Sequence, residues 1–412
     1  MTVIINKHST RRVRRLWGLV NLVLLVLASW GTVHATNCAT PTTDLGVDPV
    51  EARRVLDSIA HLVAVPTATA SASVMADLAS ATGAYDLSGL EDDRVASQDA
   101  WLAAMQPWER VEMLQFGPAG PHTTPGGMSL REQIYSWPLT NRCSIDQGLV
   151  AQSYADTAML AADLVNVRGL DAMEYLLFHD SPDNGCSPLS PINADGTWAA
   201  LGLDELRVRR AAYAATLATL VKDQADALAA AWDPAAGDFA GELATAGDTS
   251  ETYSTTQEAL NEVIRAMFYL DLDVKDVKLG QPLGSGSCGT PPCPELVESR
   301  EAAASKEHLI ANLRAFQQLF LGGPDAESGA GFDELLAGVG EQPLAARMID
   351  NIEAAIAAVE AIDGTLQFAV EANTQSVADA QAAIALVTDD LKGPFVTALS
   401  LRVPSEGAGD AD

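Results

Sequence analysis

The chain has 412 residues, 48% of them apolar, and a formal net charge of −30 from 55 acidic against 25 basic side chains. That apolar content is enough to bury the core of two domains or one large duplicated one. So negative a surface is a poor match for nucleic acid or an anionic membrane and favours cations and cationic partners.

The first predicted element is a leader. Arg11, Arg12, Arg14 and Arg15 precede an apolar run from Leu16 to Trp30 and then Val33, His34 and Ala35. This is the order of basic region, short apolar region and small-residue cleavage site that marks secretion. Residues 1–35 are expected to be removed, which takes away five basic residues and leaves a net charge of about −35 on a mature chain of about 375 residues. The apolar run ends too soon for a spanning helix, and no later stretch offers about 18 uninterrupted apolar residues. The mature protein is therefore expected in the periplasm or cell envelope, not integral to the membrane. A lipid anchor at Cys38 is the alternative, weakened because Asn37 is not a small residue.

Helical signals dominate the mature chain. Asp48, Pro49 and Glu51 read as an N-cap, a proline in the first turn and a capping-box acid for a helix over residues 49–65. Pro66 is expected to kink or end it before a second helix over 68–81. Across 97–116 the spacing of Trp101, Met105 and Trp108 is helical and lands next on Glu112, an acid on an aromatic face. After a Gly/Pro-rich loop to about residue 127, helices are predicted over 144–166, 169–178 and 203–232. Residues 232–250 turn to Gly, Ala, Asp and Pro, a connection, and further helices are expected over 253–272, 294–320, 343–362 and 373–387. Strand patterns are scarce. The fold class is all-α, as two antiparallel bundles.

All five cysteines lie beyond the leader. Cys288 and Cys293 close a short loop and suit a local disulfide; Cys143 and Cys186 bracket residues 167–178 and are a further candidate pair, though Cys38 can replace either partner.

The most informative stretch is 167–178, V-R-G-L-D-A-M-E-Y-L-L-F, which sets Asp171 and Glu174 on one face of an otherwise apolar helix. Unpaired carboxylates in such a setting cost several kcal/mol, so a cation, an arginine such as Arg168 or a proton is expected beside them. Of the histidines, His61 has the surroundings of a core residue, His122 falls in the Gly/Pro loop and His179 follows the motif helix. Ser305, His308 and Asn312 share a polar stripe, the pattern of a solvated face. No His-Glu-x-x-His and no Gly-x-Ser-x-Gly occurs.

Five separated blocks carry a resemblance: 108–118 (W-E-R-V-E-M-L-Q-F-G-P), 136–138 (S-W-P), 169–178, 275–284 (K-D-V-K-L-G-Q-P-L-G), and Glu298-Ser299 with Ser305 downstream. In this order they resemble the imelysin-like proteins of bacterial cell envelopes. The resemblance implies a duplicated fold of two four-helix-bundle-like halves, residues 36–235 and 253–403, joined by 236–252 and followed by an acidic tail at 404–412. It implies that the motif helix lies near the interface of the halves. It also implies a link to iron uptake, with a metal ion or iron chelate as ligand and envelope transport components as partners. A peptidase label attaches to the family as well.

The family motif G-x-H-x-x-E is matched by Gly169 and Glu174, whereas Asp171 stands at the His position. An all-oxygen pair suits Fe(III), Ca(II) or Mn(II) better than Zn(II) or Cu(II). The candidate metal ligands are Asp171, Glu174, Glu112 and Glu298, with iron the expected metal and another divalent cation the alternative. Glu112 has an arginine salt bridge as its competing role, and Glu298 that of an exposed acid at a helix start. Gly169 is expected to permit close approach of another backbone. An iron-acquisition protein is the leading functional expectation; a metallopeptidase and a metal-free recognition scaffold are the others.

Overall fold

A computed structural model describes residues 46–286 and 288–405. The expected leader, Cys38 and most of the acidic tail lie outside the described residues. Helices account for the architecture, and no strand occurs among the described residues.

The first helix is Pro49–Ser58, and the Asp48 side chain accepts from Val50 N at 2.8 Å as an N-cap should. The capping box is not closed, because Glu51 turns to Arg54 one turn on. Pro66 does not end the helix. Residues Ile59–Ala64 open into a wider π-type turn, and the rod resumes as Val65–Ser88 with the proline in its first turn. A wider turn fits Pro66 because proline has no N–H to bond and its ring clashes with a carbonyl one α-helical turn back. The combined Pro49–Ser88 rod is long and apolar enough by composition to cross a membrane. It packs instead against the Glu91–Val111 and Gly202–Trp232 helices, as a core helix would.

Two predicted helices are interrupted. The span expected over 144–166 divides into Arg142–Ala151 and Thr157–Ala162, because Gln152 adopts φ 54° and Asp156 caps a new start by accepting from Met159 N. The span expected over 294–320 forms only as Ser305–Leu321. Ser299 and Ala303 take positive φ, and residues 298–304 run irregularly beside the helix they were expected to begin. This departure matters for the site, since Glu298 leaves the helical surface for the interior.

The Glu91–Val111 and Ser305–Leu321 helices pack face to face; Ser305–Leu321 also meets Gln342–Glu360, which packs on Thr374–Asp390. Between Thr256–Met267 and the loop at 284–293 the chain forms an unusually long wide-turn segment, Leu270–Gly280. Cys143–Cys186 and Cys288–Cys293 are disulfides. Cross-linking positions 43 apart removes loop entropy worth about 4 kcal/mol from the unfolded chain. Replacing Cys143 and Cys186 together by Ser is expected to lower the unfolding free energy measured in urea by a matching amount, and an unchanged value would show that this link adds no stability.

Candidate metal centre

The packing of the Glu91–Val111 helix on Ser305–Leu321 brings Glu109, in the last turn of the first, against His308 and Asn312, one turn apart on the second. Lys278 enters from the wide-turn segment, Glu298 from the irregular stretch and Tyr135 from the end of Leu130–Ile134. All six are at most 1% exposed. Lys278 Nζ donates to Glu109 Oε2 at 2.6 Å and to Asn312 Oδ1 at 3.0 Å. It also lies 3.0 Å from Glu298 Oε2. Asn312 Nδ2 donates to the Glu109 carbonyl at 2.7 Å and to Oε2 at 3.0 Å, and the Tyr135 hydroxyl donates to Glu298 Oε1 at 2.8 Å.

The remaining atoms converge. Glu109, Glu298 and His308 each offer one ligand atom within 4.8 Å of the others, and Glu109 Oε1 and Glu298 Oε2, the latter also ion-paired to Lys278, face the imidazole. His308 Nδ1 is 3.2 Å from Glu109 Oε1 and 3.6 Å from Glu298 Oε2, ion pairs when the imidazole is protonated. These are two carboxylates and an imidazole that could hold a cation once His308 has given up its proton. Lys278 and His308 already balance part of the carboxylate charge, so a metal would have to displace the His308 proton. Burial and the neighbouring Glu298 charge push Glu109 up. Burial also opposes ionisation of Glu298, but Lys278 and His308 outweigh it and bring Glu298 down to about 2. Burial lowers His308, yet the two glutamates raise it overall, so the imidazole retains a proton more readily than usual.

The sequence motif lies next to this cluster. Gly169 has φ 93°, and a Cβ there would meet the Ile134 carbonyl at 2.6 Å, so the predicted close backbone approach is real. Asp171 Oδ2 accepts from Ser136 Oγ at 2.9 Å and from Thr140 Oγ1, while Oδ1 makes no hydrogen bond. Glu174 Oε1 accepts from Ala302 N at 2.9 Å. Burial raises both acids; for Glu174 it outweighs the Ala302 amide and the His308 charge, giving about 7. Neither acid pairs with Arg168, whose guanidinium donates to Ala161 O. Both line a cavity of about 250 Å³ that reaches Val297 and Ser299, the neighbours of Glu298.

The four predicted ligands therefore separate into three places. Glu298 is in the buried cluster, and Asp171 and Glu174 line the adjoining cavity. Glu112 is taken up by Arg131, whose Nε and Nη2 donate to its two oxygens at 2.9 and 3.0 Å, with the Tyr269 hydroxyl as a further donor. Sequence reasoning misses Glu109, three residues before Glu112 in the same block, and Lys278, inside the 275–284 block. It also assigns His308 and Asn312 to solvent, where the structure buries them. The polar spacing does form a stripe, but a stripe does not disclose that a second helix with its own acid covers it. His61, expected in the core, is 38% exposed by its side chain and lies 3.1 Å from Asp57.

Comparison with known proteins gives two kinds of match. A family model described as Imelysin, within a peptidase class, matches residues 64–393. A crystal structure described as a putative iron-regulated protein A precursor from Parabacteroides distasonis superposes with a TM-score of 0.67 at 20% identity, covering 85% of this chain and 96% of that one. An imelysin-like protein from Psychrobacter arcticum gives 0.64 at 15% identity, covering 87% and 99%. At these identities the likeness shows the fold. No curated protein matches the sequence significantly.

Proposed function

Since this chain belongs to the imelysin family, we propose that it is an exported cell-envelope protein that binds a metal ion in the course of iron acquisition. The observation that carries this reading is the buried cluster of Glu109, Glu298 and His308, each offering one ligand atom within 4.8 Å of the others. Two carboxylates and an imidazole, with no thiolate, suit Fe(II), Mn(II) or Zn(II), and the envelope location and the iron-regulated name of a structural neighbour favour iron. Asp171 and Glu174 then form the approach to the centre, and Glu112 is a structural partner of Arg131. Binding is favoured over peptide hydrolysis because a scissile bond has no room beside three groups that are 0–1% exposed.

Lys278 supports a second reading. Its ammonium already neutralises part of the cluster, as it would in a metal-free recognition scaffold whose buried ion pairs only fix the packing.

Calorimetric titration of metal-stripped mature protein with Mn(II) and, anaerobically, Fe(II) separates the two. Micromolar or tighter binding is expected, weakened in Glu298→Gln by at least the roughly 10–100-fold that even outer-shell changes cost. Absence of binding to the wild type would leave the scaffold reading in place.

A further inference from the structure

Another cavity, of about 710 Å³, is lined by residues of the wide turn at Ile59–Ala64 and of the Val65–Ser88, Glu91–Val111 and Ser305–Leu321 helices. The Pro49–Ser88 rod brings apolar side chains to it, Leu62, Pro66, Ala70 and Val74. Leu62 is 39% exposed, and Pro66 and Ala70 are exposed as well, so this apolar surface is left uncovered. Gln106 and Arg110, one turn apart on Glu91–Val111, and Gln318 on Ser305–Leu321 supply donors. None of these three side chains makes a hydrogen bond or ion pair among the described residues. For an arginine that is uncommon in this protein, where most of the described guanidiniums pair with a carboxylate.

No acidic side chain lines this cavity, in a chain that carries 55 acidic against 25 basic residues. His61 is the other titratable group on the lining, and its Nδ1 lies 3.1 Å from the Asp57 carboxylate. An uncommitted guanidinium beside uncovered apolar side chains matches a ligand with one anionic end and an apolar body. A cationic amphiphile finds no counter-charge on the lining, and a neutral one leaves Arg110 unused. The volume falls in the range of about 300–1,000 Å³ that small-molecule sites occupy. We infer that this cavity binds a single-chain carboxylate amphiphile of the fatty-acid type. Its carboxylate sits on Arg110, with the Gln106 and Gln318 amides as further donors, and its chain covers Leu62, Pro66, Ala70 and Val74. Nothing in this recognition depends on a metal at the Glu109, Glu298 and His308 cluster.

The test is calorimetric titration of the full mature protein with laurate and with dodecyltrimethylammonium, each below its micelle-forming concentration. The same titrations are run on Arg110→Gln and on Ala70→Trp. Laurate is expected to bind one to one and at least about tenfold more tightly than the cation, the factor that a hydrogen bond to a charged group is worth. The net charge of −30 alone would give the opposite order, so the preference reads the local guanidinium. Arg110→Gln should weaken laurate by at least about tenfold and leave the cation no weaker. Ala70→Trp should weaken laurate by filling the cavity while Arg110 stays in place. Arg110 leaves no partner stranded and Ala70 is exposed, so both variants are expected to fold. Wild type that ignores laurate or prefers the cation would overturn the inference, as would laurate affinity unchanged in either variant.

Discussion

Lys278→Met is expected to lower the unfolding free energy of metal-stripped protein at pH 7 by about 3–5 kcal/mol, the cost typical of removing one partner from a buried ion pair. The side chain keeps its volume, so the loss reports charge and hydrogen bonding. It would strand Glu109 and Glu298, both at most 1% exposed, with only His308 as a cation. Denaturation in urea gives the number directly. The same variant discriminates the two functional readings. If the three converging atoms bind a cation, Mn(II) at about 100 times its dissociation constant should return roughly 2.7 kcal/mol by mass action. A loss below about 1 kcal/mol would contradict the assigned charges, and a loss that Mn(II) does not touch would contradict the cation site.

The second large effect is in pH dependence. The Glu174 carboxyl is brought to about 7 by burial, against an ordinary value near 4.5. The folded state thus holds a proton that the unfolded chain releases across the interval between those values. Stability from this group is complete below about 4.5 and is lost as the pH rises through about 7. The difference corresponds to at most about 3 kcal/mol at 1.36 kcal/mol per pH unit. Glu174→Gln removes the titration yet keeps an oxygen to accept from Ala302 N. The variant should match wild type near pH 4 and exceed it by up to about 3 kcal/mol at pH 8, with chelator present to exclude metal. Parallel stability curves for the two proteins would sink this assignment. Asp146, held near 6 by burial, contributes with the same sign.

The fold was legible wherever one helix surface sufficed to define it. Asp48 before Pro49, and the repeat of Leu206, Tyr213, Leu217 and Leu220, predict elements that form as Pro49–Ser58 and Gly202–Trp232. What could not be read were events that need two segments. Glu298 has the local sequence of an acid at a helix start, because nothing beside it forces Ser299 and Ala303 to positive φ. His308 and Asn312 have the spacing of a solvated face because the Glu109 that meets them is about 200 positions away. Helical spacing alone prefers Glu112 to Glu109, although the two point to different partners, Arg131 and Lys278. The motif at Gly169, Asp171 and Glu174 falls beside the Glu109, Glu298 and His308 cluster rather than in it.

The wide turn at Ile59–Ala64 bears on how this rod tolerates changes in length. A π-type turn takes up an additional residue while the α-helical stretches on either side keep their faces, because the bulge absorbs what would otherwise be a rotation. An ordinary turn has no such slack: each residue advances the helix by about 100°. Losing one residue between Ala68 and Met75 would therefore swing Met75, Leu78 and Tyr85, now buried, away from their partners. Losing one residue inside Ile59–Ala64 would only tighten the bulge and leave those three facing inward. The cost there would fall on Pro66, whose ring would be pressed back against the carbonyl one turn earlier. The bulge and the proline are thus a matched pair, an insertion whose presence the rest of the rod does not feel.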